Sequence, residues 1–165
     1  MLVTKEADYA IRCVLEVARH GRISAARVAT LQGISPTFLG KIVQSLARAG
    51  ILATRRGVGG GISLAIPLAE LSVLQVIEAV EGPLCINECV ADPTRCPLSG
   101  NCAIYPYLDR AQGAVREVFG VRLSELAHKA LPCKDGTELL ADAVASDLLA
   151  VREDEPAWIF GGEDS

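Results

Sequence analysis

Half of the 165 residues are apolar and 22% are charged, enough for one packed core with attachments, which excludes wholesale disorder and a large multidomain enzyme. Aromatic residues make up only 4%, so the core must be built from Ala, Val, Leu and Ile, a composition suited to closely packed helices. The net charge of -4 hides an asymmetry: residues 1–60 carry nine Lys/Arg against three Asp/Glu and residues 61–165 seven against seventeen, so one end is suited to a polyanion.

No run of 18 apolar residues occurs, and residues 1–20 carry Lys5, Glu6, Asp8, Arg12, Glu16 and Arg19. Neither a membrane span nor a signal peptide is expected, and a cytoplasmic location is. In that setting six cysteines read as metal or redox ligands rather than as a disulfide frame.

Apolar residues at Ala7, Ala10, Ile11, Val14, Leu15, Val17 and Ala18 form a broad helical stripe over Thr4 to Arg19, with the charged residues, Glu16 among them, on the opposite side, and Gly21 ends it. Ser24 is placed to cap a short second helix reaching Gln32, with Val28 and Leu31 inward, and Gly33 supplies a turn. Ser35 caps a third helix with Pro36 at its first position. That helix runs to about Ala49, burying Leu39, Ile42, Val43 and Leu46 and exposing Thr37, Lys41, Gln44, Ser45 and Arg48. Strand-like runs at Ile51 to Thr54 and Ile62 to Ile66 flank a glycine-rich segment and read as a hairpin. A fourth helix, about Ser72 to Val80, leads into a cysteine-containing loop over residues 81–102. Beyond it, Ile104, Leu108, Ala111, Val115 and Val118 are spaced 4, 3, 4, 3, the repeat of a coiled-coil seam. With no second copy of that pattern in the chain, the expected partner is another subunit, making a homodimer. Amphipathic segments follow near 124–131 and 137–151, and an acidic, loose tail at 153–165.

Helix, tight turn and a helix opening with Ser-Pro is the layout of a helix-turn-helix, with the hairpin as its wing. Ser35, Thr37 and Lys41 at the start of the third helix are placed for a major groove of double-stranded DNA, and Arg55 and Arg56 on the wing for phosphate or a narrow groove. The fold expected is mainly α, a winged helix-turn-helix with a small β-hairpin wing plus a long dimerisation helix. Its parts are a DNA-binding region at 1–80, a cysteine loop at 81–102, helical segments at 103–152 and the tail. No nucleophile is paired with a base, since His20 and His128 are far apart, and residues 57–61 lack the Lys-Ser/Thr of a phosphate loop. No catalysis and no small-molecule substrate are therefore expected.

The loop carries Cys85, Cys89, Cys96 and Cys102, with six residues between the second and third and five between the third and fourth. Zinc knuckles are tighter; the wider spacing suits thiolates spread around a cluster, and thiolates are the soft ligands iron prefers. Cys13 lies beside the apolar stripe of the first helix and reads as a packed thiol, whereas Cys133 has no assigned role.

The run from Leu2 to Arg12, the segment Ile34 to Leu39, the wing from Arg56 to Ala65 and the three-cysteine loop together resemble the winged-helix dimeric regulators that include IscR, NsrR and RirA. The resemblance spans about residues 1–131, and the piece from Cys96 to Cys102 is most similar to the iron- and nitric-oxide-responsive branches. It implies an iron–sulfur cluster on Cys89, Cys96 and Cys102, with Cys85 as an alternative first ligand. Three residues after Cys102, where one branch has a histidine, this chain has Tyr105; where another uses an N-terminal aspartate, it has Asp8. The implied centre is a four-iron cluster closed by Asp8 of the partner subunit, with a two-iron form as the other option. The expected function is a dimeric regulator sensing redox state, nitric oxide or iron supply. The rivals are a cluster-free regulator that senses by thiol oxidation, a zinc-bound regulator and an electron-transfer iron–sulfur protein.

Overall fold

The structure, a computed structural model, describes residues 3–57, 59–98 and 101–129, which belong to one compact unit spanning residues 1–130. Cys133, the segment expected near 137–151 and the acidic tail lie outside the described residues.

The first helix, α1 (Lys5–His20), starts where Thr4 accepts hydrogen bonds from the N–H groups of Glu6 and Ala7 and stops at Gly21, whose φ of 69° a side chain rarely adopts. The Thr4 hydroxyl also donates to Glu81, tying this end of α1 to the end of a later helix. The inward face of α1 is Ala7, Ala10, Cys13, Val14 and Val17, all fully buried. Glu16, expected among the exposed charges, is buried instead and is held by Arg19 at 2.9 Å and His20 at 3.5 Å.

Helix α2 (Ala25–Gln32) is capped by Ser24 and closed by Gly33 at φ 65°, and α3 (Pro36–Arg48) by Ser35, whose hydroxyl accepts from Phe38 N–H at 3.2 Å. Each such cap contributes about 1 kcal/mol. As expected from its spacing, α3 buries Leu39, Ile42, Val43 and Leu46. A T-shaped contact of Phe38 with Tyr9, 5.9 Å between centroids, fastens its start to α1.

The sheet has one strand more than the sequence foretold. Its strands are β1 (Arg22–Ile23), β2 (Leu52–Arg55) and β3 (Gly61–Leu64), in the order β1-β3-β2 and antiparallel throughout. β2 and β3 form the wing, with Arg55 opposite Gly61. β1 is too short to show alternation; it exists because the chain leaving α1 runs along β3, with Ile23 opposite Ile62 and both buried.

Helix α4 (Val73–Glu81) opens with a capping box between Ser72 and Gln75 and lays Val76 and Ile77 against α1. The cysteine loop contains a one-turn helix, α5 (Glu88–Ala91), and a 3-10 turn (Pro93–Arg95). Then come α6 (Tyr105–Phe119) and α7 (Leu123–Lys129). Between these two the chain returns to the start of α4: Val73 N–H donates to Val121 O at 3.1 Å, Leu123 N–H to Leu71 O at 2.9 Å, and Leu123 is fully buried.

Candidate nucleic-acid interface and cysteine loop

Helix α3 presents Thr37, Gly40, Lys41, Gln44 and Arg48 on one exposed stripe, opposite the four residues it buries. Ser35 is exposed too, but its hydroxyl is occupied as the cap, so its first role is to start the helix that carries Thr37 and Lys41. Arg55 ends β2 and Arg56 follows it, both exposed. Among the described residues no carboxylate pairs with Lys41, Arg55 or Arg56, so their charge is available to a polyanion. The turn between the strands is tight. Gly60 N–H donates to Gly57 O at 2.9 Å, and a Cβ on Gly60 would lie 2.4 Å from the Arg55 carbonyl oxygen. That glycine is therefore a steric requirement of the wing, a role the glycine-rich run gave no means of assigning to one position. Arg22 and Arg27 add exposed positive charge on β1 and α2, which the sequence reading did not place.

Asp8 stands in the first turn of α1, half exposed, and is gripped by Arg12 through two contacts of 3.1 and 3.0 Å. Cys13, one turn further, is fully buried, and desolvation followed by the nearby Glu16 charge pushes its thiol up to about 12. It is the packed thiol expected.

Cys85, Cys89, Cys96 and Cys102 are all free and half buried. Cys85 donates its thiol hydrogen to Asn87 O at 2.8 Å, and Cys89 lies on α5, which Asn87 caps. Among the described residues no three His, Cys, Asp or Glu side chains gather closely enough to hold a metal ion, so this single chain does not bring the expected ligands together. The donor set nevertheless suits iron: sulfur atoms without disulfide partners, reachable from solvent, on short turns joined by irregular chain.

The seam of α6 divides between two surroundings. Val115 packs against the core of its own chain, and Leu108 is half buried. Ile104, which precedes the helix, is 56% exposed and Val118 67%; Ala111 is exposed, and Tyr107 adds an aromatic ring at 69%. Between the seam positions sits Gln112, buried, with its amide oxygen accepting from Ile86 N–H and its amide nitrogen donating to Leu84 O, both at 2.9 Å. Nothing in the helical spacing signalled it, because a glutamine beside a seam reads as surface.

Known proteins are similar to this chain in sequence and in fold. The family described as Rrf2, iron-dependent transcriptional regulator, matches residues 3–129. Protein aau3 of Rhizobium meliloti (strain 1021) is 35% identical over 136 residues, covering 80% of this chain and 88% of the relative. The HTH-type transcriptional regulator IscR of Aliivibrio salmonicida is 35% identical over 92 residues, covering 54% of this chain and 55% of its own length. In fold, the chain is similar to the solved structure of CymR, the global cysteine regulator of B. subtilis, with a TM-score of 0.63 at 24% identity over 79% of this chain and 99% of that one. T. potens IscR gives 0.60 at 21% identity over 84% and 94%. Among the described residues no helix is long and apolar enough to cross a membrane. A winged helix with an unpaired basic face, matched by the family over more than three quarters of its length, is a transcriptional regulator and not an enzyme: the chain belongs to the Rrf2 family.

Proposed function

We propose that the protein is a homodimeric, cluster-dependent regulator whose two heads grip neighbouring half-sites of a double-stranded DNA operator. The carrying observation is the set of free, half-buried thiols at Cys89, Cys96 and Cys102, next to a helix whose outward apolar side has no cover among the described residues. Ile104, Tyr107, Ala111 and Val118 make that side, and a second copy of the same helix is its natural complement, since a two-fold interface joins like to like.

Within each head, Thr37 and Lys41 meet base edges while Arg55 and Arg56 meet phosphate or the minor groove, with Ser35 holding the helix start between them. Cys89, Cys96 and Cys102 would hold an iron–sulfur cluster, preferably four-iron, and Asp8 of the partner subunit would complete it. Recruiting that carboxylate exchanges its bidentate Arg12 contact for a metal one. When bound, the cluster supplies redox and ligand-exchange chemistry that responds to oxidants, nitric oxide or iron supply. A ligand set shared between subunits makes the spacing of the two heads depend on it, and a two-half-site operator measures that spacing.

Anaerobic purification followed by visible absorption and by iron and sulfide analysis tests this. Colour with sulfide is expected in the native chain and its loss in Cys96→Ala and Cys102→Ala. Cys89, Cys96 and Cys102 being free and reachable from solvent supports a second reading, in which a peroxide transfers an oxygen atom to one of these thiols, giving a sulfenic acid and water. A colourless anaerobic protein whose DNA affinity changes on oxidation and reverts with reductant would establish that reading instead; bound zinc without colour would establish a third.

A further inference from the structure

The cysteine loop does not leave α4 as free chain. Glu78 on α4 accepts from Leu84 N–H at 3.2 Å and pairs with Arg116 of α6 at 3.7 Å. From α6, Gln112 takes the next two backbone positions, bonding Leu84 O and Ile86 N–H. Gln112 is a buried polar side chain in the middle of a helix with both amide atoms used, and Cys85 lies between the two residues it holds. The clamped stretch and α5 share the border of an open cleft of about 490 Å3, which Leu84, Cys85, Val90, Ala91, Asp109 and Gln112 line.

We propose that Gln112 is a positioning residue that fixes the backbone around Cys85 to α6, so that the iron ligands of the loop begin at Cys89. The clamp stands on geometry alone; its consequence for the ligand set rests on the cluster reading. Leaving the buried Leu84 O or the half-buried Ile86 N–H without its partner is costly, which holds Cys85 in place against the four-residue shift it would need to replace Cys89. The clamp also joins the loop to the helix that carries the exposed apolar stripe, so a displaced loop start is felt on α6.

Amide hydrogen exchange on the metal-free full-length chain tests the clamp. In Gln112→Leu the Ile86 amide should exchange roughly tenfold faster or more, as expected for the removal of one hydrogen bond, while the Leu84 amide, held by Glu78, and the Leu39 and Ile42 amides in the core keep their rates. Gln112→Glu keeps an acceptor for Ile86 N–H and loses the donor to Leu84 O, so Ile86 should stay protected. An unchanged Ile86 rate in Gln112→Leu, or equal acceleration of the core amides, would overturn the proposal. For the ligand set, Cys85→Ala is reconstituted anaerobically with iron and sulfide. Native iron and sulfide content is expected, and a bleached Cys85→Ala alongside a coloured native chain would overturn the exclusion of Cys85. If the native chain also stays colourless, the cluster reading fails, and the exchange experiment still decides the clamp.

Discussion

Replacing Gly60 with alanine isolates the wing from the rest of the molecule. The added Cβ would stand 2.4 Å from the Arg55 carbonyl oxygen, 2.8 Å from that of Gly57 and 3.0 Å from the Arg56 carbonyl carbon, all backbone atoms that no side-chain rotation can move. Ordinary contact requires the first of these to retreat by about 1 Å, which the four-residue β2 strand accommodates only by reshaping the turn, at a cost of about 1–3 kcal/mol. In a chain of this length that lowers the melting temperature by about 2–4 °C for each kcal/mol. The clash falls on the backbone of Arg55 and Arg56, so binding to a fluorescent random-sequence duplex should weaken. The slope of log affinity against log salt should also shrink by about 0.9 for each phosphate that is no longer neutralised. Two further alanines calibrate the result. Gly59 meets nothing within 4 Å but has φ 73°, so Gly59→Ala should cost about 1 kcal/mol without a clash. Gly40, in the exposed middle of α3, also meets nothing, and Gly40→Ala should stabilise the free protein by up to about 1 kcal/mol. Gly60→Ala protein that melts and binds like the native chain at both about 50 and about 200 mM salt would refute the reasoning.

Lys41→Ala should flatten the preference for an operator selected from a randomised duplex pool by about 1–3 kcal/mol, with little change on random sequence, whereas Arg56→Ala should weaken both alike; competition binding separates the two. Val118→Glu puts a charge on the outward side of α6, so sedimentation should show folded monomers, while Val115→Glu, aimed at the chain's own core, should unfold the chain; the reverse pattern would place the seam the other way round. Cys13 keeps its proton in the folded state up to about 12, above the 9.0 of an unperturbed thiol, so its contribution is fully present below pH 9 and is lost as pH rises toward 12. At pH 11 that loss is about 3 kcal/mol relative to neutral pH, so the stability difference between the native chain and Cys13→Ala should change by this amount in denaturant titrations at the two pH values.

Local chemistry in the chain determined α1, α2, α3 and the wing. Thr4, Ser24 and Ser35 are caps, Gly21 and Gly33 are stops, and the apolar positions repeat at helical spacing, so each element is specified within its own few residues. The exposed stripe of Thr37 and Lys41 was legible for the same reason, since burying Leu39, Ile42, Val43 and Leu46 leaves only one way for them to point. The cysteines were legible as thiols, though their distances from one another were not, because ligand geometry depends on loop conformation and on groups far away in sequence. β1, the burial of Glu16 and the return of Val121 to Leu123 onto Leu71 to Val73 came only with the tertiary structure. Each depends on a partner tens of residues distant or on a local pair that burial alone makes necessary. The seam of α6 shows the same boundary within one element. Its repeat marked an apolar face, and only the packing of the chain decided that Val115 turns to its own core, that Ile104 and Val118 are left outside, and that Gln112, inconspicuous in sequence, holds the backbone on either side of Cys85, because a buried amide is defined by what folds over it.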